Sequence, residues 1–207
     1  MAEEMNSLQK NRTCELVRKP KNTKVMGCKW IYKKKTGIPT VEPERFKACL
    51  VAKGYSQREG IDYQEIFFPV VRHTSIRMLL AITTTGDYEL EQMDVKMPFL
   101  HGNIDEKIPM EQPEGFKTKG KEDHVCLLKK SLYDLKQTPR QWYKCFDSLM
   151  VENKFSRSQY DSCVYYQQLK NGNYIYLLLY VDDMLLICKD MEEINRLKLL
   201  LNSQFLT

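Results

Sequence analysis

Two adjacent carboxylates, Asp182 and Asp183, stand between two apolar runs, Tyr174–Val181 and Met184–Cys188. Runs rich in Tyr, Val, Ile and Leu read as buried strands. Asp-Asp between them reads as a tight hairpin turn, because Asp tolerates turn dihedrals and can bond its own backbone. Two charges at the tip of an apolar hairpin cost desolvation unless water or a cation meets them. Their oxygens suit a hard cation such as magnesium. An ordinary solvated turn carries the same residues, so a metal site needs a third carboxylate. Asp94 is the strand-borne candidate, in Leu90-Glu91-Gln92-Met93-Asp94-Val95-Lys96, where a strand gives way to Pro98. A strand-end Asp facing the hairpin pair would make a two-cation site for in-line phosphoryl chemistry. Hydrophobic periodicity does not by itself bring the two elements together.

The elements that must position these residues can be read from pattern and punctuation. Residues 3–10 read as a short helix, and 25–35 as a strand ending at the Gly37-Ile38-Pro39 breaker. Residues 46–53 alternate as a strand, with Arg45, Lys47, Cys49 and Val51 on one face. A helix is expected over 74–85, capped by Thr74, striped by Ile76, Leu79, Leu80 and Thr83, and stopped by Gly86. Residues 88–95 and 125–130 read as strands. Thr138-Pro139-Arg140-Gln141 reads as a capped helix start, with Thr as N-cap and Gln at N3. Trp142, Phe146, Leu149 and Met150 form its apolar stripe. Residues 163–168 should pair with 174–181 through Asn171-Gly172, a strong hairpin signal. Asp190 and Glu193 start a last helix, striped by Ile194, Leu197, Leu201 and Phe205.

The chain of 207 residues carries a net charge of +5, which permits a polyanionic partner without requiring one. Lys33-Lys34-Lys35 lie near Arg18, Lys19, Lys21, Lys24 and Lys29, a cluster that a solvated face would equally carry. The seven cysteines are scattered, with no Cys-x-x-Cys, and His124-x-Cys126 lacks zinc-finger spacing. Free thiols and a reducing compartment are expected. The N-terminus is acidic and polar, and the longest apolar run is too short to cross a bilayer. These features point to an intracellular chain with no membrane partner.

Four long segments then occur in a fixed order. They are Met93-Asp94-Val95-Lys96-Met97-Pro98-Phe99-Leu100-His101-Gly102, Met110-Glu111-Gln112-Pro113-Glu114-Gly115-Phe116, Leu128–Tyr143 with its Leu132-Tyr133-Asp134-Leu135-Lys136-Gln137 core, and Tyr180-Val181-Asp182-Asp183. In order and wording the chain resembles the reverse transcriptases of copia-type LTR retrotransposons. Gly27-Cys28-Lys29-Trp30, Leu50-Val51-Ala52-Lys53-Gly54-Tyr55 and Gly60-Ile61-Asp62-Tyr63 resemble the same family, so the likeness covers nearly the whole chain. It implies an α+β right-hand polymerase whose antiparallel palm sheet packs on helices. Fingers would span about 1–87 and 101–138, and palm about 88–100 and 139–207. It implies an RNA-directed DNA polymerase that extends a primer on an RNA or DNA template with dNTPs. By resemblance Asp94, Asp182 and Asp183 are the catalytic, metal-holding carboxylates, for Mg2+ or Mn2+, with Asp94 and Asp182 holding two ions and Asp183 the weaker ligand. One ion would lower the pKa of the primer 3′-hydroxyl, and both would clamp the transferring phosphoryl group. Phe99 corresponds to an aromatic gate under the deoxyribose, although a plain core Phe would read the same way. Lys47 is a candidate triphosphate contact. Tyr133, Lys136 and Arg140 are candidate nucleotide contacts, the last two at a helix start where N–H groups favour anions. Solvated surface side chains would account for the three cations equally well.

Departures from the family pattern fall beside this expected pocket. Met97-Pro98 replaces Thr-Ala, and Pro98 has no N–H to offer a triphosphate. Asp134 replaces a Gly that allows positive φ or close approach. Cys49 removes a cation, and Cys14 and Pro109 replace Trp and Tyr. A catalytically defective remnant that binds nucleic acid through its basic fingers is the alternative function. The family continues past the last helix into more palm strands, a thumb and a ribonuclease H domain. This chain is expected to lack them, to hold duplex poorly and to aggregate alone. The remainder of a Pol polyprotein would be a partner, inside a cytoplasmic virus-like particle if the element is active.

Overall fold

The computed structural model describes residues 1–21, 23–37 and 43–205. In chain order the elements are α1 (Ala2–Lys10), β1 (Cys14–Arg18), β2 (Cys28–Lys35), β3 (Arg45–Ala52), α2 (His73–Gly86), β4 (Glu89–Asp94), β5 (Pro109–Met110), β6 (His124–Leu128), α3 (Thr138–Glu152), β7 (Ser156–Arg157), β8 (Val164–Gln168), β9 (Tyr174–Tyr180), β10 (Asp183–Cys188) and α4 (Met191–Gln204). Every strand pair is antiparallel. Ile38 and Pro39 of the expected breaker lie outside the described residues. No helix among the described residues is long and apolar enough to cross a membrane.

The chain divides into two compact units, Met1–Ile66 with Phe99–Trp142, and Phe67–Pro98 with Tyr143–Thr207. The first unit holds a three-stranded sheet ordered β1-β6-β5 and a separate β2–β3 ribbon. Alternation along β3 breaks down, because Leu50, Val51 and Ala52 are all buried while Arg45, Phe46 and Lys47 are exposed. One end of the ribbon is in the core and the other is in water. On α1, Glu4 is buried and accepts a hydrogen bond from the Leu50 N–H at 3.3 Å. Burial pushes its carboxyl pKa up, against the opposing pull of that N–H and of Lys47.

The second unit is a five-stranded sheet ordered β4-β10-β9-β8-β7, with helices on both faces. The expected β8–β9 hairpin forms around Gly172, whose φ of 83° is open to glycine and strained for other residues. Period-2 alternation sorts the side chains. Ile175, Leu177 and Leu179 of β9 and Met184, Leu186 and Cys188 of β10 are buried on one face. α3 and α4 cover that face. Phe146 meets Tyr165 edge-on at 5.7 Å and stacks on Phe205 at 6.2 Å, while Lys198 of α4 bridges to Glu91 of β4 at 3.2 Å. The opposite face carries Leu90, Gln92 and Asp94 of β4 with Asp183, Leu185 and Ile187 of β10. α2 covers only part of it, packing Leu79 into a cluster with Val71, Val164, Leu178 and Ile187.

Two helix starts differ from expectation. α2 is capped at Arg72 rather than Thr74, and the cap is supplied by a distant loop. Buried Asp161 accepts the Arg72 N–H at 2.9 Å, the Ser75 hydroxyl at 2.6 Å and the Cys163 N–H at 3.0 Å. Leu80 lies on the exposed side of α2, and the helix ends on Asp87 in the left-handed region, with Gly86 still helical. α3 begins at Thr138, whose hydroxyl donates to the Leu132 carbonyl at 2.8 Å instead of capping N–H groups. α4 starts as expected, with Asp190 accepting the Glu192 N–H at 2.9 Å.

Two stability measurements follow. Asp161→Ala strands three donors and should cost about 2–3 kcal/mol in denaturant unfolding, whereas Thr74→Ala should cost under about 0.5 kcal/mol. Glu4 has a folded pKa above its unfolded one, so its contribution is full at low pH and is lost as pH rises through the folded value. Glu4→Gln should therefore raise the melting temperature at pH 7, and the gain should vanish below about pH 4.

Candidate active site

The hairpin tip is displaced by one residue from the sequence reading. The loop is Val181-Asp182, and Asp183 is already the first residue of β10, paired with Tyr180. Val181 has φ of 60°, unusual for a β-branched residue. A two-residue hairpin loop with positive φ at its first position matches strand twist and normally uses Gly there. Holding Val in that conformation stores strain at the tip, of the kind that clusters at functional sites.

β10 lies between β9 and β4, and its register against β4 sets Asp183 directly opposite Asp94. The pairing extends past the strand end, where the Val95 N–H donates to the Asp182 carbonyl at 3.0 Å. Asp94 is exposed, and Asp182 and Asp183 are half-buried. Gln92, two residues before Asp94 and so on the same face, donates through Nε2 to Asp183 Oδ1 at 3.1 Å. The sequence reading passed over Gln92, although its spacing from Asp94 was a usable signal.

Among the described residues no three His, Cys, Asp or Glu side chains converge to hold a metal ion. The donor chemistry nonetheless fits a hard divalent cation. Asp94 and Asp183 are facing partners with all-oxygen donors, and magnesium is commonly held by one or two carboxylates plus water and substrate phosphates.

The remaining site candidates lie in the first unit. Phe99 is half-buried in a 3-10 turn, Pro98–Leu100, and meets the Tyr133 ring edge-on at 5.6 Å. The Tyr133 carbonyl accepts the Ala52 N–H at 3.1 Å, tying this segment to β3. Asp134 takes φ of 72°, a left-handed conformation that Asp tolerates. Gly54 packs so closely there that a Cβ would fall 1.7 Å from the Asp134 carbonyl oxygen. Lys136 is exposed, but its N–H donates to Gln57 Oε1 at 2.8 Å. Gln57 in turn donates to Gln137 Oε1 at 3.0 Å, and Gln137 donates to the Asp62 carbonyl at 3.2 Å and to Glu106 at 3.3 Å. This buried amide network carried no sequence signal. Arg140 is paired with Glu65, so a phosphate there would have to displace a carboxylate. Lys47 is exposed on β3, directly opposite Lys33.

The reverse transcriptase (RNA-dependent DNA polymerase) family profile matches residues 11–207, and the chain belongs to that family. It is 52% identical over 199 residues to the retrovirus-related Pol polyprotein from transposon TNT 1-94 of Nicotiana tabacum, covering 96% of this chain and 15% of the relative. It is 39% identical over 191 residues to the Pol polyprotein from transposon RE2 of Arabidopsis thaliana, covering 92% and 13%. With the Ty1-NL2 Gag-Pol polyprotein of Saccharomyces cerevisiae it shares 29% over 160 residues, covering 77% and 9%. The chain thus spans a small fraction of these relatives' length. The resemblance read from the four ordered segments is borne out.

The strain at the tip gives a test. Val181→Gly should stabilise the fold by about 1 kcal/mol, read as a higher melting temperature. A lower one would mean that Val181 packing outweighs its backbone cost.

Proposed function

We propose that this chain is the RNA-directed DNA polymerase domain of a copia-type retrotransposon Pol polyprotein. It would extend a primer 3′-hydroxyl with dNTPs on an RNA or DNA template. The observation that carries the reading is the β4–β10 register, which sets Asp94 opposite Asp183 with Asp182 at the adjoining turn. In this reading the first unit supplies the fingers and the second the palm, with α2 belonging to the palm because it packs on the palm sheet.

Asp94, Asp182 and Asp183 would hold two magnesium or manganese ions. Bound there, the ions would acidify the primer 3′-hydroxyl and neutralise charge on the transferring phosphoryl group. The protein's own share is positioning. The sheet fixes Asp94 and Asp183 on one face, and the strained turn fixes Asp182. Phe99, which meets Tyr133 edge-on, would be the aromatic residue under the deoxyribose. On the β2–β3 ribbon, Lys29, Lys33, Arg45 and Lys47 share a face, and Lys33 faces Lys47. Like charges directly opposite destabilise a strand pair, so that face favours a polyanion such as a nucleic acid or a triphosphate.

A second reading, a nucleic-acid-binding remnant without catalysis, is favoured by the turn before Phe99. Met97 has φ of 54°, and Pro98 is buried and brings no N–H. Primer extension on an RNA template with dNTPs and Mg2+ or Mn2+ separates the two. The polymerase reading expects extension that falls by about 100-fold or more in Asp182→Asn. No extension, with template binding that weakens steeply as salt rises, would overturn it in favour of the remnant.

A further inference from the structure

Gln92 is an exposed polar side chain on the edge strand of the sheet, and its amide is committed to Asp183. Its direct cross-strand partner is Leu185, so the bond to Asp183 runs diagonally along the face that carries both carboxylates. An exposed hydrogen bond of this kind adds little to fold stability. Its effect is local, since it fixes one oxygen of a side chain that could otherwise turn freely into solvent. We propose that Gln92 is a positioning residue of the cation site, holding the Asp183 carboxylate on the shared face so that it and Asp94 can bind one divalent cation together. The inference rests on the reading of Asp94 and Asp183 as cation ligands.

The residue type fits the task. An ionised carboxylate has about four lone-pair directions, and the amide occupies one. A Lys at this position would also donate a hydrogen bond, but its charge would neutralise the carboxylate and compete with the cation. A Leu would leave the carboxylate unheld. Gln donates without charge, so Asp183 keeps its full negative field. The other carboxylate on this part of β4, Glu91, lies on the opposite face and is paired with Lys198.

The test measures Mn2+ binding to the intact chain by electron paramagnetic resonance of the free ion, so no turnover is needed. Gln92→Leu and Gln92→Ala should each raise the Mn2+ dissociation constant about tenfold. Gln92→Lys should raise it further, with a weaker dependence on ionic strength, because the added cation lowers the net negative charge the metal ion meets. Thermal melts and circular dichroism should match the parent, because Gln92 is exposed, and the Ala variant serves if the Leu variant fails to fold. Parent-like Mn2+ affinity in the folded Gln92 variants, with binding weakened in Asp183→Asn, would overturn the role of Gln92 and leave the cation site standing. Unchanged binding in both Asp94→Asn and Asp183→Asn would overturn the cation reading itself, and the role of Gln92 with it.

Discussion

The antiparallel register of β4 against β10 is the constraint on which the candidate site depends. It pairs Asp94 with Asp183 and Met93 with Met184. Those pairs point to opposite faces, so the register is set by chemistry as well as by backbone hydrogen bonds. Met93 and Met184 are buried on the face covered by α3 and α4, while the two carboxylates lie at the open end of the other. A one-residue slip of β4 would exchange the faces of all its side chains. It would turn Asp94 into the apolar core and Met93 into water, at the cost of an unpaired buried charge. The burial that stabilises this sheet therefore also aligns the acids.

The two units place their polar groups by different means. In the second, a carboxylate of the β10 strand end is steered by the amide of Gln92, and the neighbouring turn tolerates a β-branched residue at positive φ. In the first, the segment carrying Tyr133, Lys136 and Arg140 is held from below by buried amides. Gln57 and Gln137 each use both ends of the side chain, which satisfies their polar groups away from water. Gly54 allows the approach that brings this segment against the strand end of β3. Asp134 adopts a left-handed conformation, which Asp tolerates, whereas Pro98 brings no N–H to its turn.

Much of this architecture was legible in the sequence because its determinants are local. Asn171-Gly172 specifies its hairpin, and Asp190 caps α4 two residues away. The stripe of α4 follows from 3.6-residue spacing. What was not legible is non-local. Thr74 is a sound cap by local rules, yet the α2 N-terminus is satisfied by Asp161, 89 residues from Arg72. Thr138 has the right neighbours for a capping box, yet the Leu132 carbonyl takes its hydroxyl. The Asp182-Asp183 pair reads as the hairpin turn, because nothing in the sequence shows that Val181 accepts a glycine-like conformation and admits Asp183 to the strand. The candidate carboxylates are legible from residue pattern and motif order, whereas their facing geometry is set by the fold.

Anomalous diffraction from crystals of this chain soaked in Mn2+ tests the facing-carboxylate site most directly. An anomalous peak within about 2.3 Å of oxygens from both Asp94 and Asp183 is the predicted result. A peak held by other residues, or none at a saturating Mn2+ concentration, would contradict it.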